Sequence, residues 1–269
     1  MESTPSRLMT IPRRYPWRIF WVLLFLSIVG VAGLLPLIFA LYRKLIAAGP
    51  LPMPLPILIA VQLMQTALVF AALIALGLKV APKAGLEMPI LQRWLYRSEK
   101  ALPKGAIVQP LLAGVAAGAL GLLIYYTFLQ SRIPDWPVAA EAALPIWKRL
   151  LACVYGAINE EVLARLFAFS LVLWALRKIA RQRTPQTSPG IFWIGNVIVS
   201  VLFVLGHLPS AKVIMPITPL LLVALFSING LVSLMCGYLC WKRGLEAAML
   251  AHFSTDFVLH VVGPMFIRG

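Results

Sequence analysis

Apolar runs of roughly twenty residues follow one another along this chain, separated by short segments rich in proline, glycine, lysine and arginine. A run of that length crosses about 30 Å of hydrocarbon as a helix. The pattern predicts seven spans, at 17–42, 56–79, 107–130, 145–176, 192–207, 219–241 and 245–266. The fourth exceeds what a straight crossing needs, so it should tilt or project from the bilayer. The segment 49–56 alternates proline with apolar residues and cannot continue a helix, which makes it an ordered connector. Pro134, Pro137 and Pro145 bracket a second connector, and 181–190 reads as a polar loop. No stretch reads as a soluble domain, and no internal repeat is visible. Three parts result: a basic N-terminal segment at 1–16, three spans with a basic loop (81–105) at 17–144, and a helical core at 145–269 that holds the candidate chemistry.

Composition agrees with that pattern. Hydrophobic residues make up 61% of the chain and charged ones only 12%, with a mean hydropathy of +0.90, whereas soluble domains carry about 25% charged residues. The expected fold is all-α, a polytopic transmembrane helical bundle. The net charge of +15 does not point to nucleic acid here, because it concentrates in the loops. Sixteen of the 24 lysines and arginines fall on one side of the predicted topology and seven on the other, with Arg165 inside a span. That bias puts the N-terminus in the cytoplasm and the C-terminus outside. In the loop 81–105, Leu91, Trp94 and Leu95 alternate with Arg93, Arg97 and Lys100, as in a helix lying on anionic headgroups, so membrane lipids are an expected partner. Cys153, Cys236 and Cys240 all sit in apolar runs and read as small buried hydrophobes, not a disulfide framework. The first apolar run is too long for the core of a signal sequence.

Six of the ionisable side chains inside the predicted spans stand out: Glu160, Glu161, Arg165, His207, His252 and Asp256. A charge at the bilayer centre costs at least about 2.5–3.5 kcal/mol, so such residues face polar cavities and mark function. Glu161 and Arg165 are four apart on one helical face and should neutralise each other, whereas Glu160 lies about 140° from Arg165 and is left without a local partner. An unmatched carboxylate in a partly dry site suits a general base. His252 and Asp256 share a face, so the acid is placed to orient the imidazole. Phe203 shares a face with His207 and should pack beside the site. His260, near the end of its span, has no evident partner and reads as interfacial. Two glutamates and two histidines raise the question of zinc, but H-E-x-x-H and any cysteine–histidine cluster are missing, so no metal or other cofactor is expected.

The three motifs E-E-x-x-x-R at 160–165, F-x-x-x-H at 203–207 and H-x-x-x-D at 252–256, in that order on late helices, resemble the CAAX-protease and bacteriocin-processing (CPBP, or Abi) family of glutamate-dependent intramembrane endopeptidases. The resemblance covers roughly 146–262 and leaves the first three spans without a family motif. It implies that Glu160 activates water, with Glu161 and Arg165 completing the first motif. It further implies that His207 works with Glu160, and that His252 and Asp256 stabilise the oxyanion. Asp256 stands where the eukaryotic member, the Ras-converting enzyme, has Asn. An ionised Asp cannot donate to an oxyanion, so it must be protonated or act by orienting His252. The implied substrate is a peptide or membrane-anchored protein, and the implied location is a bacterial cytoplasmic (inner) membrane. The alternative is a non-catalytic scaffold or bacteriocin-immunity protein that binds through the same cavity.

Overall fold

The computed structural model describes residues 15–41, 54–98, 101–102, 104–133, 141–184 and 186–266. The basic segment before Tyr15, most of the 49–56 connector, and Pro134 and Pro137 lie outside the described residues. Everything regular among the described residues is helical. The helices are α1 (Trp17–Leu41), α2 (Leu55–Val80), the short α3 (Pro89–Tyr96), α4 (Val108–Ile124), α5 (Ile146–Tyr155), α6 (Ser170–Ile179), α7 (Pro189–Ile214), α8 (Pro219–Leu225), α9 (Leu231–Arg243) and α10 (Leu245–Asp256). Several are joined without a break by wide π-helical turns, at Tyr125–Leu129, Gly156–Glu160, Val162–Phe169, Phe226–Gly230 and Phe257–Val262.

The chain is an integral membrane protein. Six helical stretches are long and apolar enough to cross a bilayer, and they coincide with six of the seven expected spans. The remaining one is helical throughout from 146 to 179 but is too polar to qualify on composition, because it carries Glu160, Glu161 and Arg165. The expected end of the fifth span at His207 falls short, since α7 continues through Pro209 to Ile214. A proline inside a helix removes one backbone donor, and neighbouring helices make that tolerable in a bundle.

Helices in lipid gain little from hydrophobic burial against one another and associate through close packing. The α4–α10 contact shows this directly. A Cβ at Gly114 would collide with the backbone carbonyl of Ala251, and one at Gly118 would lie 2.6 Å from Val258. The Thr255 hydroxyl, within reach of both the Gly114 carbonyl (3.1 Å) and the Ala251 carbonyl (2.9 Å), adds a polar link at the same place. α1 packs on α5 and on the turn after it, where buried Asn159 donates from Nδ2 to the Ser27 carbonyl at 2.9 Å. Phe169, Leu173, Phe192, Ile74 and Leu23 fill the main apolar core, with Phe192 stacked on Trp241 at 4.1 Å. A smaller core built on Tyr125, Val204 and Leu221 lies further along α7.

The basic loop contains the expected short amphipathic helix, α3, in a more built-in form. Leu91, Leu95 and Tyr96 pack against the main core, and Trp94 is the large apolar side chain left exposed. Buried Glu246 at the start of α10 accepts from the Leu91 N–H at 2.8 Å, so a carboxylate on the last helix caps α3. Replacing Gly114 with Val should force α4 away from α10. Overpacking of this kind costs about 1–3 kcal/mol, so a clear drop in the melting temperature of the detergent-solubilised protein is expected. Gly190→Ala, at a position with open space around it, should leave that temperature essentially unchanged.

Candidate active site

The six singled-out residues converge although they come from three separate stretches of chain. Arg165 and Glu161 form the expected pair, Nε to Oε2 at 3.3 Å, with both side chains shut off from solvent. Arg165 also donates from Nη2 to the Ser233 carbonyl (2.9 Å) and hydroxyl (3.1 Å) on α9. Its guanidinium lies 5.3 Å from the centre of the Phe203 ring, a cation–π distance. Phe203 is therefore beside the site as expected, with its ring 4.7 Å from that of His207.

Glu161 has a second task that local spacing hides. Its Oε1 lies 2.7 Å from Nδ1 of His252. A carboxylate paired with a guanidinium has no hydrogen to donate, so Nδ1 of His252 carries the hydrogen and Nε2 turns toward the cavity. Asp256 faces the same ring, as its spacing predicts, but at a longer distance. The bond that fixes the His252 ring comes from Glu161, whereas Asp256 lies on the other ring nitrogen, Oδ1 to Nε2 at 3.6 Å. His207 is fixed in the same sense, since its Nδ1 lies 2.8 Å from the Phe203 carbonyl, which can only accept.

Both histidines thus aim Nε2 at one carboxylate. Glu160 Oε2 is 3.9 Å from Nε2 of His207 and 3.7 Å from Nε2 of His252. These separations exceed a direct hydrogen bond and suit groups bridged by a water molecule. Glu160 makes no pair with Arg165, in keeping with its position on the helix. The three polar groups open onto a cavity of about 720 Å³ with otherwise mainly apolar walls, including Leu34 and Leu37 of α1 and Leu202 of α7. The first span therefore helps enclose the site even though it carries no motif residue.

Sequence reasoning missed three features here. Gly156 is one: a Cβ there would run into Asp256 Oδ2 and come within 3.4 Å of His252 Nε2. A glycine four residues before Glu160 gives no signal of that closeness. The other two form a pair. His260 is not a partnerless interfacial residue, because its Nδ1 lies 2.8 Å from Oε2 of buried Glu141, and both line the cavity. Their separation of 119 positions puts the contact beyond any helical count.

Glu161, Cys236 and His252 bring potential metal-ligand atoms within 4.8 Å of one another, all buried. Their chemistry does not fit a cation. A metal there would have to break the Glu161–His252 hydrogen bond and sit beside the Arg165 guanidinium.

Among families of known proteins, residues 142–258 match the one described as type II CAAX prenyl endopeptidase Rce1-like. No curated protein and no solved structure gives a significant match.

Removing Arg165 should leave Glu161 buried without its counter-charge. Breaking a buried pair from one side costs about 3–5 kcal/mol. Arg165→Ala is therefore expected to melt well below the parent protein. Arg165→Lys should recover only part of the loss, because an ammonium cannot reach Glu161 and Ser233 with one planar fork.

Proposed function

We propose that this chain, which belongs to the CAAX protease (CPBP) family through residues 142–258, is an intramembrane endopeptidase that cleaves a peptide or membrane-anchored protein by means of glutamate-activated water. The family is one of proteases. The observation that carries the finer reading is Glu160 Oε2, held between two imidazole nitrogens at water-bridging distance on the wall of a large cavity.

In this reading Glu160 takes a proton from a water molecule as the oxygen attacks the peptide carbonyl carbon. His207, with its Nδ1 hydrogen held by the Phe203 carbonyl, orients that water from the other side. His252, as an imidazolium faced by the carboxylates of Glu161, Glu160 and Asp256, donates from Nε2 to the oxyanion that forms. Asp256 supports the charge at that nitrogen and does not need to donate. As the tetrahedral intermediate collapses, the carbon–nitrogen bond breaks and Glu160 passes its proton to the leaving amine. The location that fits best is a bacterial cytoplasmic membrane.

The test uses purified protein in detergent or nanodiscs with a membrane-peptide substrate. Glu160→Gln and His207→Ala should each reduce turnover by about 10²–10⁴-fold, the range for loss of a general acid–base group. Full activity in either variant overturns the mechanism. Turnover should also survive EDTA and phenanthroline. Chelator inhibition reversed by added zinc would replace the reading with a metal-dependent one.

A further inference from the structure

The two ends of the bundle differ in charge, and the cavity belongs to only one of them. Hydrogen bonds tie the basic segments together at the first end. Arg18, in the first turn of α1, donates from Nη1 to the Leu95 carbonyl of α3 at 2.8 Å. The Leu91 N–H of α3 is held by Glu246 at the start of α10. Arg243, the last residue of α9, donates from Nη1 to the Lys104 carbonyl before α4 at 2.7 Å. The Thr187 hydroxyl, before α7, donates to the Ala84 carbonyl after α2 at 2.7 Å, and Arg177 near the end of α6 donates to Thr187 at 3.2 Å. The described parts of the loops 81–105 and 181–190, and the turn between α9 and α10, therefore share one end. It is the end that the lysine and arginine bias assigns to the cytoplasm.

The opposite end is joined by Tyr126, whose hydroxyl donates to the Gly263 carbonyl at 2.7 Å, and by the contact of Glu141 with His260 at 2.8 Å. The cavity reaches this end. Its wall includes Glu141, His260, Met215 directly after α7, and Leu221 in the first turn of α8. Leu34 and Leu37 lie in the far half of α1, which starts at the basic end. Among the described residues, no part of 81–105, 177–192 or 240–251 lines the cavity.

The space between the site and the basic end is filled instead. Phe169 and Leu173, in the turns that follow Arg165, pack with Phe192 and Ile74, and Phe192 stacks on Trp241. None of these side chains lines the cavity. An apolar layer at the packing density of a protein interior leaves no path for water or an extended peptide. The hydrocarbon around the helices supplies no water either. Water for Glu160 must therefore enter from the charge-poor end.

We infer that the site works from the extracytoplasmic face of the membrane, on a membrane-anchored polypeptide whose scissile bond lies at the extracytoplasmic end of its anchor. The cutting rests on the endopeptidase reading, whereas the sidedness of the cavity does not.

Single cysteines test the sidedness, read with a charged, membrane-impermeant maleimide on the full chain in right-side-out and inside-out membrane vesicles. Gly206→Cys, at a position with open space around it, and Ser210→Cys both line the cavity, and Lys83→Cys lies in the basic loop. Cys153, Cys236 and Cys240 are buried, so the unmodified protein gives the background. Both cavity cysteines should label in right-side-out vesicles and lose that labelling in inside-out ones, with Lys83→Cys behaving in the opposite way. Labelling in detergent shows that each thiol is reactive, and either cavity position decides alone. A cavity cysteine labelled from the inside, from both faces, or from neither despite reacting in detergent overturns the inference. So does Lys83→Cys labelled from the outside. In cells, the fragment ends that vanish when Glu160→Gln replaces the parent should map, by mass spectrometry, to the extracytoplasmic ends of substrate spans, and ends on the cytoplasmic side overturn the inference. Outward labelling with no fragment lost would sink the endopeptidase reading and leave the sidedness standing. Inward labelling with fragments lost would do the reverse.

Discussion

A carboxylate with no access to water must be neutralised where it sits, and Glu161 is such a carboxylate. One of its oxygens faces Arg165 and the other faces His252. Arg165 in turn reaches the Ser233 carbonyl on α9. Three stretches of chain are thus bound to one buried charge: the motif helix, α9 and α10. Neutralising Glu161 and orienting His252 are a single act. The ring cannot rotate without leaving an oxygen of Glu161 short of a hydrogen-bond donor, which is costly in a dry interior. The motif glutamate that looks like mere support therefore sets which nitrogen of His252 meets the cavity.

Much of this is legible in the order of residues alone. The apolar runs point to the helical bundle, and the cost of charge in lipid singles out six residues that do converge. Helical counting places Glu161 on Arg165 and keeps Glu160 away from it. What counting cannot supply is contact between distant segments. Spacing pairs His252 with Asp256 because they are four apart, yet the short bond runs to Glu161, 91 positions away. His260 reads as partnerless for the same reason. The fourth expected span is helical, as its apolar run predicts, despite the charges that it carries.

Wide helical turns explain part of the remainder. The motif helix relaxes into π-helical turns at Gly156–Glu160 and Val162–Phe169, and α10 does so at Phe257–Val262. Such turns shift every following side chain around the axis and are enriched at functional sites. A propensity-based reading has no signal for them, since Gly-Ala-Ile-Asn-Glu and Phe-Val-Leu-His-Val-Val look like ordinary helix. Arg149 shows how one of these turns is secured, with its guanidinium buried against the carbonyls of His260 and Val261 inside the turn that follows α10.

The motif-free spans then acquire a physical role. The catalysis proposed here would be sensitive to a misplacement of about 1 Å, so α10 and the motif helix would need rigid neighbours. α4 provides one through Gly114 and Gly118, which let the backbone carbonyls of Ala251 and Thr255 come close, and Thr255 bridges the contact just before Asp256. α1 provides the other, because Asn159, adjacent to Glu160, is tied to the Ser27 carbonyl. Leu34 and Leu37 on the same helix close the cavity wall further along. Both constraints are backbone contacts made by small or polar residues, types that carry no recognisable signature in an apolar run. The first half of the chain is accordingly quiet as sequence and still decides where the second half can place its reactive groups.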